Sequence, residues 1–170
     1  MPNPDLSIEH LHSPQFHARL EHFFFRAMLE GYVANPQKGK IAKLPGSQSV
    51  ECTDGLLRLL DVWTTNGGSD SHGTTHIWYC KEPVWVMQYM GAYSDQSIPT
   101  LTEALKYAYQ SKAWCGGRGP LLFRSSKRPD MTYVNTVGEN DFAKRSFGEE
   151  RVFWGSELIG WHRYQSMLLV

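Results

Sequence analysis

Apolar side chains recur every third or fourth position in only two stretches of this chain, and elsewhere they mostly alternate with polar ones. After Ser13-Pro14, the residues Leu20, Phe23, Phe24, Ala27 and Met28 fall on one stripe of a 3.6-residue helix. Arg19, Glu21, His22, Arg26 and Glu30 fall mostly elsewhere on the wheel. Ser13 offers an N-cap hydroxyl and Pro14 a first-turn residue whose missing N–H costs nothing, so the pattern predicts an amphipathic helix ending near Gly31. A second stripe consists of Leu101, Ala104, Leu105, Ala108 and Tyr109. It is preceded by Thr100-Leu101-Thr102-Glu103, a spacing that predicts a capping box closed by the Thr100 hydroxyl and the Glu103 carboxylate. That helix runs to about Lys112.

The remaining segments read as strands. Asp54-Gly55 between residues 47–53 and 56–64 is a tight-hairpin signal. Residues 74–80 and 84–90 form a second pair around a turn at 81–83, and 121–125, 131–137, 149–154 and 158–167 repeat the scheme with turns at 127–130, 138–141 and 155–156. Gly73, Glu82 and Tyr89 recur at one constant offset as Gly148, Glu157 and Tyr164. With one-residue adjustments Leu59-Leu60-Asp61 falls on Tyr133-Val134-Asn135, and Gly46 falls on Gly119. The expected fold is therefore α+β, a single domain over 13–170 behind a flexible arm at 1–12. It comprises two fused repeats (13–92 and 98–170), each a helix followed by an antiparallel four-strand meander, with the helices packed on the sheets. The segment 35–44, with Lys38, Lys40 and Lys43, has no counterpart in the second half and is expected to be mobile and to tolerate shortening.

Composition narrows the function. Seventeen basic and seventeen acidic residues leave no net charge, so nucleic-acid binding by this chain alone is not expected. No apolar run has the length of a membrane span, and the polar, acidic start does not read as a signal peptide, so a cytoplasmic protein is expected. Cys52, Cys80 and Cys115 are too widely spaced for a disulfide framework or zinc knuckle, and Cys80 and Cys115 read as structural thiols. Phosphate-binding glycine loops, dinucleotide fingerprints, nucleophile elbows and zincin motifs are absent. His10, His12, His17 and His22 cluster near the arm, where rigid ligation is not expected, so neither a metal nor another cofactor is called for.

Polar groups that alternation turns toward apolar neighbours are the better candidates, because burying them is costly and functional sites concentrate them. Glu150 shares a face with Val152 and Trp154, either as a functional carboxylate or as half of an ion pair with Arg118 or Arg163. His162 and Tyr164 share a face with Gly160; in a cavity they would act as acid/base or hydrogen-bonding groups, and otherwise His162 is satisfied by a neighbouring backbone. Trp85, Met87 and Tyr89 face one way and Val84, Val86, Gln88 and Met90 the other. A ligand pocket would be walled by Trp78, Trp85, Tyr89, Trp154 and Trp161 with Gln88, Glu150, His162 and Arg163 among them. Core packing accounts for the same aromatics equally well.

Pro45-Gly46-Ser47, the strand Pro83-Val84-Trp85-Val86-Met87-Gln88-Tyr89-Met90-Gly91, Arg118-Gly119-Pro120 and Gly148-Glu149-Glu150 resemble a bacterial family, domain of unknown function 5680. The resemblance covers about Leu20 to the C-terminus. The chain departs from it at Gly73-Thr74-Thr75, where an acidic residue follows the glycine in the family, and at Gln88, where Asn is usual. Members stand alone or behind an XRE-type helix-turn-helix, so the resemblance implies a domain placed where a regulator carries its sensor. The leading expectation is a small-molecule binding or sensing domain, its partner a small ligand, with self-association into a homodimer as a further expectation. The alternatives are an enzyme using Glu150 with His162 or Tyr164, and a protein-interaction module. A closed greasy cavity favours the sensor, a cavity holding perturbed acids the enzyme, and a flat exposed aromatic patch the interaction module.

Overall fold

The structure, a computed structural model, describes residues 8–34 and 38–170. A short helix α1 (Ile8–Leu11) leads into α2 (Pro14–Ala27). Ser13, in extended conformation, caps α2 by accepting the Phe16 N–H at 3.2 Å. The stripe read from the sequence is buried, joined by Phe16 and Phe25. Where the helix was expected to end, the chain widens into a π-helical turn at Met28–Val33. Helix α3 (Ile98–Ser111) ends at Lys112 in the left-handed conformation, φ 52°.

The strands are β1 (Ser47–Asp54), β2 (Leu57–Thr65), β3 (Asp70–Tyr79), β4 (Glu82–Tyr93), β5 (Leu122–Arg124), β6 (Met131–Asn140), β7 (Arg145–Trp154) and β8 (Glu157–Leu168). They form one eight-stranded antiparallel sheet in the order β1-β2-β3-β4-β8-β7-β6-β5, so two meanders meet edge to edge at the β4–β8 pair. The helices pack on one face. Leu20, Phe24, Leu101, Leu105 and Tyr109 form one continuous core with Leu59, Ile77, Trp85, Met87, Tyr133 and Val152 from the strands. Strand alternation explains this sidedness: on β4 Trp85, Met87 and Tyr89 are buried while Gln88 and Met90 are exposed. Five strands each turn a polar side chain into the otherwise apolar face: Asp61 on β2, Thr75 on β3, His162 on β8, Glu150 on β7 and Asn135 on β6.

Several local expectations are corrected. The capping box does not form. Ser97 and Pro99 start α3 earlier, which makes Thr100 a buried first-turn residue whose hydroxyl has no hydrogen-bond partner among the described residues. Glu103 instead accepts from Ser125 Oγ at 2.6 Å and Arg128 Nη1 at 2.9 Å. The β3–β4 turn is Cys80-Lys81, both at positive φ (51° and 74°), so Glu82 and Pro83 already belong to β4. Gly138 lies inside β6, beside a register shift at Val137/Glu139, and the turn follows Asn140. In the basic segment, residues 35–37 lie outside the described residues, as do residues 1–7 of the expected arm. The described part of the basic segment is tied to β1, Gly39 bridging Ser49 and the Ile41 N–H donating to Ser47 Oγ at 2.9 Å. Among the described residues, no helix is long and apolar enough to cross a membrane.

Candidate functional site

Alternation along β7 sends Glu150 inward, where it is completely buried. Its Oε1 accepts from Arg118 Nε at 2.8 Å and again from Nη2 of the same guanidinium, and its Oε2 accepts from the Tyr133 hydroxyl at 2.6 Å. Arg118 arrives on the glycine-flanked loop after α3, a loop anchored by the Gly119 N–H donating back to the Tyr133 oxygen at 2.9 Å. Burial by itself raises the Glu150 carboxyl, but the charge and hydrogen bonds of Arg118 outweigh it, so Glu150 is held below its ordinary range. The Arg118–Glu150 pair is thus ionised, with every carboxylate oxygen occupied. His162 lies between Tyr89 and Tyr93, ring centroids 5.6 Å and 4.4 Å away. Its Nε2 is 3.1 Å from Ser71 Oγ, and its Nδ1 is 3.9 Å from Glu150 Oε1, beyond hydrogen-bond reach. Burial, and then the charge of Arg118, lower its pKa to about 4, so it is neutral near pH 7.

A second buried acid stands on β2. Asp61, 1% exposed, accepts from Thr75 at 2.7 Å and from the Tyr89 hydroxyl at 2.9 Å, both on Oδ1. Its Oδ2 is buried with no hydrogen-bond partner among the described residues. Burial raises the Asp61 carboxyl above its ordinary value, against the hydrogen bonds from Thr75 and Tyr89 and the charges of Arg118 and Lys38. The Arg118 guanidinium lies over the Tyr89 ring, 5.2 Å from its centre. Gly73, paired with Tyr89 across β3 and β4, makes this placement feasible: a Cβ there would come within 2.5 Å of the tyrosine. Asp61, Tyr89, Arg118 and His162 line one cavity of about 410 Å3, with Tyr32 and Trp63 among its aromatic walls. Lys38 also lines it, while its ammonium donates to the Gly31 carbonyl at 2.8 Å.

Of the residues singled out from sequence, the structure brings Glu150, His162 and Tyr89 to this site. Tyr164 is buried beside it but donates its hydroxyl to Asn135 Oδ1 at 2.8 Å. Trp85 is a core residue stacked on Phe142 at 5.4 Å. Trp78 lies between strand neighbours outside the cavity, stacked on His76 and covered by Arg58 at 4.9 Å. Gln88 is exposed on the face away from the helices. Trp154, which alternation placed beside Glu150, is 47% exposed, because the register shift between Val152 and Phe153 breaks the alternation before it. Arg163 is exposed, lies over half-buried Trp161 at 5.8 Å and pairs with Glu149 rather than Glu150. The aromatic wall predicted from Trp78, Trp85, Trp154 and Trp161 is therefore not the wall of this cavity.

Sequence reasoning missed Asp61, Tyr32, Trp63, Tyr93 and Ser71. Asp61 carried a readable signal, a carboxylate continuing the inward set Leu57, Leu59 on β2, by the same rule that picked out Glu150. Cys52, Cys80 and Cys115 form no disulfide with one another, and burial raises the Cys115 thiol, which does not make a nucleophile. The N-terminal histidines disperse: His10 packs on Phe16 and Tyr79, His17 faces the Leu11 carbonyl, and His22 approaches Lys112. Among the described residues, no group of three or more His, Cys, Asp or Glu is placed to hold a metal ion. No family model matches the chain, and comparison with curated proteins and with solved structures gave no match.

Proposed function

We propose that the chain is a small-molecule binding or sensing domain whose ligand occupies the cavity between β2, β4, the π-helical turn and the start of α3. The observation that carries this is Asp61 Oδ2, an almost fully buried carboxylate oxygen with no hydrogen-bond partner among the described residues, on the wall of a 410 Å3 space. Buried polar groups are satisfied as a rule, and one left open beside a cavity is the mark of a group kept for something that binds there. The resemblance to domain of unknown function 5680 agrees with a sensor's place in a cytoplasmic regulator. A thermal-shift screen of metabolites against the parent and Asp61→Asn is the test. Ligands that raise the parent's Tm and fail on the variant support the reading, and a screen in which nothing shifts the parent removes it.

The finer architecture belongs to the same proposal. We read the two halves as pseudo-repeats, supported by the sheet order and by matched registers: Gly73 opposite Tyr89 and Gly148 opposite Tyr164, Asp61 opposite Thr75 and Asn135 opposite Glu150. An enzyme is the second reading, favoured by the perturbed acid lining the cavity. In it the acid/base group is Asp61, since both oxygens of Glu150 are engaged and the Tyr164 hydroxyl is committed to Asn135. Turnover of a bound ligand that Asp61→Asn abolishes while binding survives would decide for it.

A further inference from the structure

The two halves treat one structural position in opposite ways. On β6, Asn135 accepts the Tyr164 hydroxyl on Oδ1, and its Nδ2 donates to the carbonyls of Cys115 at 2.9 Å and Gly119 at 2.8 Å. A stretch of the chain's own backbone thus sits on the outer edge of that amide. On β2, Asp61 accepts the Tyr89 hydroxyl on Oδ1 in the same way, but its outer oxygen meets no hydrogen-bond partner among the described residues and borders the cavity. Asn135 is a donor there and is covered by acceptors. Ionised, Asp61 can only accept, so whatever covers that carboxylate must donate.

Charge narrows the donor. With Asp61 ionised and His162 neutral, Lys38 and Arg118 stand against Asp61, Asp95 and the Glu150 beneath Arg118, leaving one negative charge in excess among the described residues around the cavity. A neutral N–H would be received as well by an amide, without the cost of burying a carboxylate, whereas a cationic N–H forms the stronger, charge-assisted bond. The walls suit an organic cation as well: Tyr32 and Trp63 meet edge to face at 5.7 Å, and electron-rich rings attract cations. Resting on the binding reading above, we infer that the cavity recognises a small organic cation, a protonated amine or amidine that donates to Asp61 Oδ2 as the backbone carbonyls accept from Asn135.

The test uses three probes of one shape, benzamidine, benzamide and benzoate, titrated calorimetrically into the parent and Asp61→Asn. Benzamidine is expected to bind the parent at least about tenfold more tightly than benzamide, the scale of a hydrogen bond to a charged group. On the variant that preference falls to within about twofold. Equal binding of benzamidine and benzamide, or tighter binding of benzoate, overturns the cation assignment while leaving a binding cavity intact. Failure of all three probes, together with a silent metabolite screen, overturns both. The comparison among probes is made on the unmodified protein, so it decides the question even if the variant folds poorly.

Discussion

Tyr89 and Tyr164 are paired across the central β4–β8 seam, and their hydroxyls diverge, one ending on Asp61 at 2.9 Å and the other on Asn135 at 2.8 Å. One scaffold therefore presents a carboxylate and an amide in comparable surroundings. The amide is closed by the loop that carries Arg118, and the carboxylate is open to the cavity into which Arg118 points. The loop that fills one half thus supplies a charge to the other.

Asp61→Asn should leave the protein at least as stable as the parent at pH 7, with a gain of about 1 kcal/mol, the usual scale when a group kept for function is relieved. The sign follows from the raised carboxyl: the folded state holds the Asp61 proton more tightly than the unfolded chain. Stability from that group is present below the unfolded pKa and is lost as pH rises through the folded one. The advantage of the variant should therefore shrink in acid. Urea unfolding at pH 7 and near pH 4 checks this, and a variant clearly less stable than the parent at pH 7 contradicts it.

Glu150→Gln should be among the costliest single changes, about 3–5 kcal/mol, because it strands the Arg118 guanidinium in a buried site. Arg118→Met strands the carboxylate in turn. The double variant should lose less than the sum of the two, since neither charge is then left alone. Additive losses in chemical denaturation would show that the pair is not a unit.

The His162 contribution to stability should fall as pH drops from about 6.5 toward 4, against the opposite trend from Asp61. His162 has its pKa lowered to about 4, so the unfolded chain takes up its proton first and the neutral folded form loses ground across that window. The loss amounts to roughly 3 kcal/mol at most. His76, half-buried and also lowered, adds in the same direction. Glu150, held below its ordinary range, contributes only at lower pH, as pH falls through its folded pKa. His162→Asn should flatten the profile between pH 6.5 and 4.5, and an unchanged slope would assign the effect elsewhere.

The strands were legible because alternation is local, and the helix stripes because their period is. Pairing β4 with β8 was not legible, since it joins segments separated by a helix and three strands. The site was legible to the extent that single polar residues interrupt an apolar face, which marked Glu150 and His162 and would have marked Asp61. The tryptophans misled because size draws side chains to any sheltered surface: Trp85 into the core, Trp78 and Trp161 beneath arginines, Trp154 to a hairpin end after a register shift. Tyr32 and Lys38 join the cavity from outside the sheet, where no strand period could place them.

Gly73→Ala and Gly148→Ala should separate function from folding. The three atoms nearest a Cβ on Gly73 all belong to the Tyr89 side chain, at 2.5–2.7 Å, and a ring can swing aside. The swing breaks the Tyr89–Asp61 bond and disturbs the Arg118 stack, so ligand binding should weaken severalfold while stability falls by about 1–3 kcal/mol, the usual cost of overpacking. A Cβ on Gly148 would meet Tyr164 at 2.4 Å and also the Thr136 backbone oxygen at 2.5 Å, which a side-chain rotation cannot relieve. Its cost in stability should be larger, and its effect on the cavity smaller, because Asn135 and Tyr164 sit on the filled side. Measuring Tm and probe affinity for both variants checks the pairing. If Gly73→Ala left affinity untouched while Gly148→Ala abolished it, the site would lie on the other half of the sheet.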